Sequence, residues 1–330
     1  MPKAHIVGTG SSVPRRVLTN FDIETFVDTS DKWITRRTGI MERRICSAAG
    51  KEGTADLGAQ AAIRAMEMAG ISSKDLDMIV VGTVTPDLQF PAAACLIQNQ
   101  LTAGNAYAFD ISAGCSGFLY GLSLANDAIK AGSCKNALIV GAERLSSITN
   151  WTDRGTCVLL ADGAGAVVVS ADTKNGGILS SHVQSDGSLW ELLYSSYGDC
   201  DVPEILNGLD TKPFYLKMEG NRLFKKAVEY LTEIAEKALK SNSLSCEDVT
   251  LLVPHQANIR IIQAVAKNLD ISMEKVFTNV EKYGNTSSAS IPIALDEANR
   301  QGLLKKGDYV LLIAFGAGLT WASSMIRWSI

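Results

Sequence analysis

Histidine is scarce in this chain, and neither sign of charge is in large excess. Three histidines occur among 330 residues, and 31 Lys and Arg face 35 Asp and Glu, which gives a net charge of −4. That balance supplies no general basic field, so we expect no nucleic-acid partner. Apolar runs such as 309–315 are far too short to span a bilayer, and the first residues lack the apolar region of a signal peptide. We therefore expect no membrane association.

Closely spaced cysteines are also missing. The seven cysteines are an odd number with no close pairs, which argues against a disulfide framework and against a Cys-rich zinc site. We expect a reduced, cytoplasmic protein without a bound metal. With 46% hydrophobic and 20% charged residues, the chain can bury a large core across one or two domains.

Helical periodicity alternates with short strands rich in Val, Ile and Leu, which predicts an α/β architecture with largely buried sheets. One stretch repeats, because 65–80 parallels 238–253 with a spacing of 173 residues. The predicted strand 137–140 has a counterpart at 310–313 with the same spacing. Sequence identity between the copies is low, so chance similarity is the alternative. Two agreements at one spacing favour a duplicated βαβ unit.

Three irregular stretches, 28–53, 84–105 and 186–215, are longer than ordinary connections. We expect them to roof a pocket. The alternative is surface elaboration without a ligand.

Cys115 lies in the motif Ala-Gly-Cys-Ser-Gly at 113–117, after the apolar run 106–111. The small residues allow a sharp turn from a strand into a helix predicted over 118–130, as in a nucleophile elbow. The sulfur would then lie near a helix N-terminus, where the helix dipole and free N–H groups favour the thiolate. A buried cysteine is usually an inert apolar residue, but this setting favours a nucleophile that accepts an acyl group.

His255 and Asn285 also stand at predicted element junctions. His255 closes the apolar run 249–254, and Asn285 lies in a Gly-Asn-Thr turn before a helical pattern. In the repeat, both would converge with Cys115 near a pseudo-dyad. A lone histidine after a strand is ordinarily a core residue, and such an asparagine ordinarily serves the turn. A neutral imidazole and an amide could, however, both donate hydrogen bonds to an enolate formed by decarboxylation.

The motifs at 113–117, 254–258 and 284–288 together resemble β-ketoacyl-acyl-carrier-protein synthase III. The resemblance covers essentially the whole chain and includes four further segments: 30–40, 153–156, 162–166 and 315–321. It implies a thiolase-like α/β fold, layered αβαβα, with two similar βαβ-based halves related by a pseudo-dyad. The halves would be 1–173, with the nucleophile, and 174–330, with the histidine and asparagine.

The same resemblance implies an acyltransferase that starts fatty acid biosynthesis. A homodimer would condense an acyl-CoA primer with malonyl-acyl-carrier protein, with no permanently bound cofactor. Cys115 would take the primer, while His255 and Asn285 would hold the malonyl thioester oxygen as carbon dioxide leaves. The backbone N–H groups of Cys115 and Ala317 would form the oxyanion hole for acyl transfer.

The resemblance also implies which residues would bind coenzyme A. Trp33 would stack on the adenine, with Arg37, Thr38 and Arg154 at the nucleotide end, and Asn258 would line the pantetheine channel. Stacking of this kind suits aromatic and guanidinium planes.

Carrier-protein docking would use Arg260, Lys225 and Lys267, although Asn268 stands where a second lysine is common. A solvated surface role is the alternative for these charged residues.

Primer choice would depend on Phe224, on Phe90 from the partner subunit and on the stretch 186–215, because pocket volume decides which acyl chains fit. The resemblance leaves the primer length and branching open.

Three alternatives differ in class. One is a related acyltransferase of a specialised secondary-metabolite pathway. Another is a cysteine hydrolase or thioesterase, since papain-like proteases share the order Cys, His, Asn; the flanking residues lack the papain signature. The last is a non-catalytic member of the fold, against which the three retained polar residues argue.

Overall fold

Two mixed β-sheets organise the computed structural model, which describes residues 2–47, 52–173, 176–197 and 214–330. Parts of two long connections predicted from the sequence, 48–51 and 198–213, therefore lie outside the described residues. The α-helices are α1 (Asn20–Glu24), α2 (Asp31–Thr38), α3 (Thr54–Ala69), α4 (Ala93–Leu101), α5 (Gly117–Lys130), α6 (Gly220–Ser241), α7 (Ile259–Asn268), α8 (Val280–Tyr283) and α9 (Ser290–Arg300). The strands are β1 (Lys3–Ser12), β2 (Val17–Thr19), β3 (Glu42–Arg44), β4 (Met78–Gly82), β5 (Tyr107–Ile111), β6 (Asn136–Arg144), β7 (Asp162–Asp172), β8 (Gly177–Ser185), β9 (Leu193–Tyr197), β10 (Phe214–Met218), β11 (Leu251–Pro254), β12 (Tyr309–Gly316) and β13 (Thr320–Arg327).

The two large sheets share one topology. The first has the order β1-β7-β6-β4-β5, with β4 parallel to β5 and β6, and β7 antiparallel to β6 and β1. The second has the order β8-β13-β12-β11, with β11 parallel to β12, and β13 antiparallel to β12 and β8. In place of a fifth strand, Val276 forms a single parallel bridge to Leu252. Each strand of the second sheet thus has a counterpart in the first.

The spacing predicted from the sequence relates strands in equivalent positions. Strand β4 begins at Met78 and β11 at Leu251, while β6 begins at Asn136 and β12 at Tyr309. Both pairs differ by the predicted 173 residues, so the similarity at this spacing marks a structural repeat.

Helices and sheets alternate in five layers. Helices α5 and α9 lie between the sheets, and one buried cluster joins them to both sheets. A second cluster joins α3 and α4 to the outer face of the first sheet, and a third joins α6 and α7 to the outer face of the second. Both faces of each sheet are therefore buried, as the continuous apolar strands predict. The αβαβα layering is confirmed.

The alternation of side chains along β12 shows how one strand serves two layers. Val310 and Leu312 belong to the central cluster, whereas Leu311 and Ile313 belong to the cluster under α6 and α7. Successive side chains of a strand point to opposite faces. Among the described residues, no helix has the length and apolar character that a membrane span requires.

Candidate active site

A cavity of about 240 Å³ brings Cys115, His255 and Asn285 together. The three residues come from three element junctions in two halves of the chain, and the sequence predicts their convergence. Apolar side chains form most of the remaining wall: Val84, Leu145, Ile148, Leu159, Leu160, Leu193, Leu216, Met218, Leu223, Phe224, Ala227, Leu231, Ile261 and Phe315.

Cys115 lies in a short 3₁₀ turn, Gly114–Ser116, directly before α5. The predicted strand, turn and helix are confirmed, since β5 ends at Ile111. At the end of β12, a Cβ on Gly316 would stand 2.3 Å from the Cys115 nitrogen. Gly114 has a φ of 53°, and a Cβ there would stand 2.5 Å from the nitrogen of Ala317. The turns around Cys115 and Ala317 therefore meet backbone to backbone, which only glycines allow.

The Cys115 thiol is protonated at neutral pH. Its pKa is raised to about 12, chiefly by burial; an interaction with the Ser287 side chain lowers the pKa, and the buried Glu143 carboxylate adds to the increase. The prediction that the helix N-terminus favours a thiolate is therefore wrong for the resting site. The reason is desolvation, which penalises the charged form more than the helix end favours it.

His255 follows β11 directly, and its backbone N–H donates to the Ile313 carbonyl at 2.8 Å. The ring is buried, and Nδ1 lies 2.6 Å from Ser290 Oγ, which also accepts the Gln256 N–H at 3.3 Å. In the tautomer in which the Ser290 hydroxyl donates to Nδ1, the imidazole hydrogen lies on Nε2. Burial lowers the pKa of His255 to about 4, so the ring is neutral, as predicted.

Asn285 is held by its backbone against the segment 159–161. Its N–H donates to the Leu159 carbonyl at 2.8 Å, and its carbonyl accepts the Ala161 N–H at 2.9 Å. The side-chain Oδ1 accepts the Ser287 N–H at 2.9 Å. The amide oxygen is therefore occupied, and the Nδ2 hydrogens form the free end of a side chain that lines the cavity.

Glu143 is a functional candidate that the sequence analysis missed. Its carboxylate is fully buried near the cavity, and burial raises its pKa above the ordinary value. The available signal is a charged residue near the end of the apolar strand β6, the same kind of signal that identified His255. Burying a charge is costly, so Glu143 needs a compensating environment, which hydrogen bonds from Thr83, Val84, Thr85 and Ser287 supply.

Trp33 lies on α2 close to two guanidinium groups. The Cζ atoms of Arg37 and Arg154 stand 5.0 and 4.9 Å from its ring centroid, within cation–π range. Helix α2 starts with Ser30 as N-cap and ends at Gly39, whose φ is 80°. Thr38 is buried, and its hydroxyl donates to the Ile34 carbonyl at 2.8 Å. That hydroxyl secures the helix end and does not face solvent.

Asn258 and Phe224 line the cavity, and Arg260 lies beside them at the surface. Asn258 is the N-cap of α7, since its Oδ1 accepts the Arg260 N–H at 2.9 Å. The Arg260 guanidinium stands 5.8 Å from the Phe224 ring centroid. A groove lined by Arg36, Arg37 and Arg260 makes this surface cationic.

Phe90, Lys225 and Lys267 lie outside the cavity wall in this chain. Phe90 is 82% exposed in the connection before α4. Both lysines are exposed, one on α6 and one on α7, and Asn268 is exposed beside the second. No group of three or more His, Cys, Asp and Glu among the described residues is placed to hold a metal ion.

The three long connections contribute unequally to the cavity. The stretch 186–215 supplies residues 193–195, and 84–105 supplies Val84. The stretch 28–53 supplies none of the described lining residues, so the prediction that all three roof the pocket is wrong in this part. Helix α2 within that stretch instead forms the cationic groove next to the cavity.

Comparison with known proteins gives one consistent result. Residues 109–187 match the family described as 3-oxoacyl-[acyl-carrier-protein] synthase III, and residues 239–328 match its C-terminal part. A β-ketoacyl-[acyl-carrier-protein] synthase III from Caldanaerobacter subterraneus subsp. tengcongensis is 51% identical over 99% of this chain and 98% of the relative. One from Aquifex aeolicus is 49% identical over 98% of this chain and 99% of the relative. The crystal structure of the synthase III from Aquifex aeolicus superposes with a TM-score of 0.91 at 48% identity, covering 99% of this chain and 100% of that one.

Two similar sheets in five layers, closed around one cavity between the halves, define a condensing acyltransferase of the thiolase-like fold. The chain belongs to the β-ketoacyl-[acyl-carrier-protein] synthase III family, the initiating condensing enzymes of fatty acid synthesis. The resemblance inferred from the motifs is confirmed. The hydrolase and specialised-pathway alternatives are not favoured.

Proposed function

We propose that Cys115 takes an acyl group from acyl-CoA and that His255 and Asn285 promote its decarboxylative condensation with malonyl-acyl-carrier protein. The observation that carries the proposal is the convergence of these three side chains in one largely apolar cavity. Relatives from the same family match nearly the whole length of this chain, which supports the same chemistry.

Acylation is the first half-reaction. The Cys115 sulfur attacks the thioester carbonyl, a tetrahedral oxyanion forms, and the bond between the carbonyl carbon and the CoA sulfur breaks. The oxyanion is held by the N–H groups of Cys115 and Ala317, an arrangement supported by the backbone contact between their two turns. Donors fixed before the reaction lower the barrier because they need no reorganisation.

Condensation is the second half-reaction. The malonyl thioester carbonyl accepts hydrogen bonds from His255 Nε2 and Asn285 Nδ2, so carbon dioxide leaves and an enolate remains. The enolate carbon attacks the acyl-cysteine carbonyl, the carbon–sulfur bond to Cys115 breaks, and the products are a β-ketoacyl-acyl-carrier protein and the Cys115 thiolate, which takes up one proton from water to return to the thiol. Two neutral donors suit this step, because charge must be held while no base removes a proton from carbon.

The acyl-CoA would enter beside α2. Its adenine would stack on Trp33, with Arg37 and Arg154 near the phosphates and Thr38 holding the helix end that carries them. The guanidinium contacts with Trp33 support this assignment, since they place positive charge beside the ring where the phosphates would lie. Asn258 and Phe224 would then line the channel that leads to Cys115.

The acidic carrier protein would dock next to the same entrance. Arg260 lines the cationic groove near the cavity mouth, and Lys225 and Lys267 are exposed on the two helices beside it. Electrostatic complementarity of this kind raises association rates and falls with salt.

We also propose that the protein is a cytoplasmic homodimer with its halves divided at 173/174. Strand β5 has β4 as its one neighbour among the described strands, and exposed Leu88, Phe90 and Tyr107 lie in or near its edge. An unpaired apolar edge favours association with a second copy, which would bring Phe90 to the partner's pocket. The division is supported by β7 and β8, which belong to different sheets.

Intact-protein mass spectrometry tests the proposal. After incubation with acyl-CoA thioesters of graded length and branching, we expect the mass of one acyl group on the wild type, and none on Cys115→Ser. Cys246→Ser, which changes a partly exposed cysteine outside the cavity, should acylate like the wild type. Turnover of the acyl-enzyme only after a malonyl thioester is added would support condensation. Release of free acid without the malonyl donor would overturn it in favour of hydrolysis.

A further inference from the structure

Glu143 has no role in the proposed function, although it occupies a complete hydrogen-bonding site next to the cavity. Its Oε2 accepts from the Thr85 hydroxyl at 2.6 Å, from the Val84 N–H at 3.1 Å and from the Thr83 hydroxyl at 3.2 Å. Three donors on one oxygen identify Oε2 as the acceptor end of the group in either protonation state.

The other oxygen, Oε1, lies 3.0 Å from both Ser287 Oγ and Ser288 Oγ. Ser288 Oγ also lies 2.6 Å from the Gly82 carbonyl, which can only accept. A serine has one hydroxyl hydrogen, so that of Ser288 is used on Gly82. Ser288 Oγ therefore presents a lone pair to Oε1, and a hydrogen on Oε1 would complete this contact. The site thus has a ready position for a proton.

Ser287 connects Glu143 to the nucleophile. Its hydroxyl donates to Glu143 Oε1 at 3.0 Å, and Ser287 lines the same cavity as Cys115. The backbone of Ser287 has a φ of 49°, a left-handed conformation that few non-glycine residues adopt. Its N–H bond to Asn285 Oδ1 and its hydroxyl bond to Glu143 hold it there. Strain maintained in this way is characteristic of functional sites.

The acylation step needs a proton acceptor other than His255. Cys115 starts as a neutral thiol, so its proton must leave as the sulfur attacks. His255 Nδ1 is occupied by Ser290, and in the tautomer with the hydrogen on Nε2 the ring faces the cavity as a donor. Burial raises the pKa of Glu143, which makes its carboxylate a stronger base than an exposed one.

We propose that Glu143 receives the thiol proton through the Ser287 hydroxyl during acylation, which rests on the proposed role of Cys115 as nucleophile. The Cys115 proton passes to Ser287 Oγ, while the Ser287 hydrogen passes to Glu143 Oε1 and is donated to Ser288. As the thioester carbon–sulfur bond breaks, the proton returns through Ser287 to the departing CoA sulfur. No proton is gained or lost overall: acyl-CoA and a thiol become acyl-cysteine and CoA. Glu143 is a positioning residue in this scheme, because it acts through Ser287 and does not touch the substrate.

Glu143→Gln tests the relay with little change of shape. The glutamine amide can donate to Ser288 Oγ and accept at the other oxygen, so it reproduces the protonated carboxyl and should fold. We expect its acylation rate, followed by rapid quench and intact mass, to fall about 10²-fold or more, the usual contribution of general base catalysis. Decarboxylation of a malonyl thioester without primer should stay close to the wild-type rate.

A proton inventory separates a relay from a structural role. In mixtures of light and heavy water, wild-type acylation should depend non-linearly on the deuterium fraction, because two protons move together. Ser287→Ala should acylate slowly and give a linear dependence or none. Asp162→Asn is the matched control, since Asp162 is another buried carboxylate bonded by neutral donors. It should lower thermal stability without changing the ratio of the two half-reactions.

The outcomes that overturn the relay are specific. The relay predicts an acylation rate about 10²-fold below that of the wild type for Glu143→Gln, as expected when a general base is removed. A rate within about threefold of the wild type would contradict it. So would equal losses in acylation and decarboxylation, or a linear inventory in the wild type. Failure of the wild type to acylate at Cys115 would instead overturn the proposed function. If Glu143→Gln does not fold, the rates of acylation and decarboxylation are measured in Ser287→Ala, and the same outcomes support or contradict the relay.

Discussion

Cys115 and His255 face the same cavity as neutral groups, although the sequence predicts a thiolate opposite a neutral imidazole. For His255 the prediction is confirmed, because an apolar strand before it already implies burial. For Cys115 the helix N-terminus is visible in the sequence, but the depth of burial and the nearby Glu143 carboxylate are not. The local motif therefore predicted the turn that brings Cys115 to the cavity but gave the wrong charge state.

The ionisation of Cys115 can be followed with iodoacetamide, which reacts with the thiolate. Since burial raises the pKa of Cys115 to about 12, the thiolate fraction should grow about tenfold for each pH unit across the range from 7 to 9. The rate of alkylation at Cys115, measured by peptide mass spectrometry, should rise throughout that range. A plateau with a midpoint near pH 7 would contradict this assignment and restore the sequence prediction.

Ser290 is a positioning residue for His255. In Ser290→Ala, nothing directs the hydrogen of His255 to Nε2, so we expect decarboxylation to slow about tenfold, less than the 10²–10³-fold cost of removing an oxyanion donor outright. Acylation of Cys115 should remain close to the wild-type rate. Ser323→Ala is the matched control, since Ser323 is equally buried and donates to the distant Ile234 carbonyl at 3.0 Å. Loss of acylation as large as the loss of decarboxylation would refute the assignment.

At the scale of elements, the sequence predicted the positions of the cavity-lining polar residues better than it predicted the residues that hydrogen-bond to them. Cys115, His255 and Asn285 each follow or precede a periodic segment, so their junctions are readable from the pattern. Glu143 and Ser290 act through partners far away in sequence, and no local pattern shows which partners a fold will supply. The cationic groove beside α2 could not be predicted from the local pattern either, because it depends on the packing of α2 against α7.

The close approach of β12 to the nucleophile turn gives an element-scale prediction. A Cβ on Gly316 would stand 2.3 Å from the Cys115 nitrogen, so Gly316→Ala should displace the turn and slow acylation. A donor misplaced by about 1 Å costs roughly 10²-fold. Gly104→Ala is the control, because a Cβ there meets nothing within 4 Å. Rapid-quench acylation rates that are equal in the two variants would show that the contact does not position Cys115.

At the scale of the whole molecule, duplication is the feature that the sequence predicted most directly. The spacing of 173 residues reappears as equivalent strands in the two sheets, because a repeated βαβ unit can keep the positions of its strand starts even when its residues diverge. The missing fifth strand of the second sheet, reduced to the bridge between Leu252 and Val276, could not be predicted from periodicity. One buried cluster shared by both sheets joins them through α5 and α9.

The division of labour between the halves follows from this arrangement. In the proposed mechanism, the first half would contribute the thiol that takes the acyl group, and the second would contribute the two donors that hold the enolate. Because the halves meet at one cavity, an intermediate bound to Cys115 stays beside His255 and Asn285 without leaving the site. Chemistry in two steps at one position therefore needs no movement of the halves.

Parallel measurement of acylation and malonyl decarboxylation in Cys115→Ser, His255→Ala and Asn285→Ala tests this account most directly. We expect Cys115→Ser to lose acylation, while His255→Ala and Asn285→Ala keep most of the acylation rate and lose decarboxylation by about 10²-fold or more, as expected when an oxyanion donor is removed. Equal loss of both half-reactions in all three variants would contradict the account.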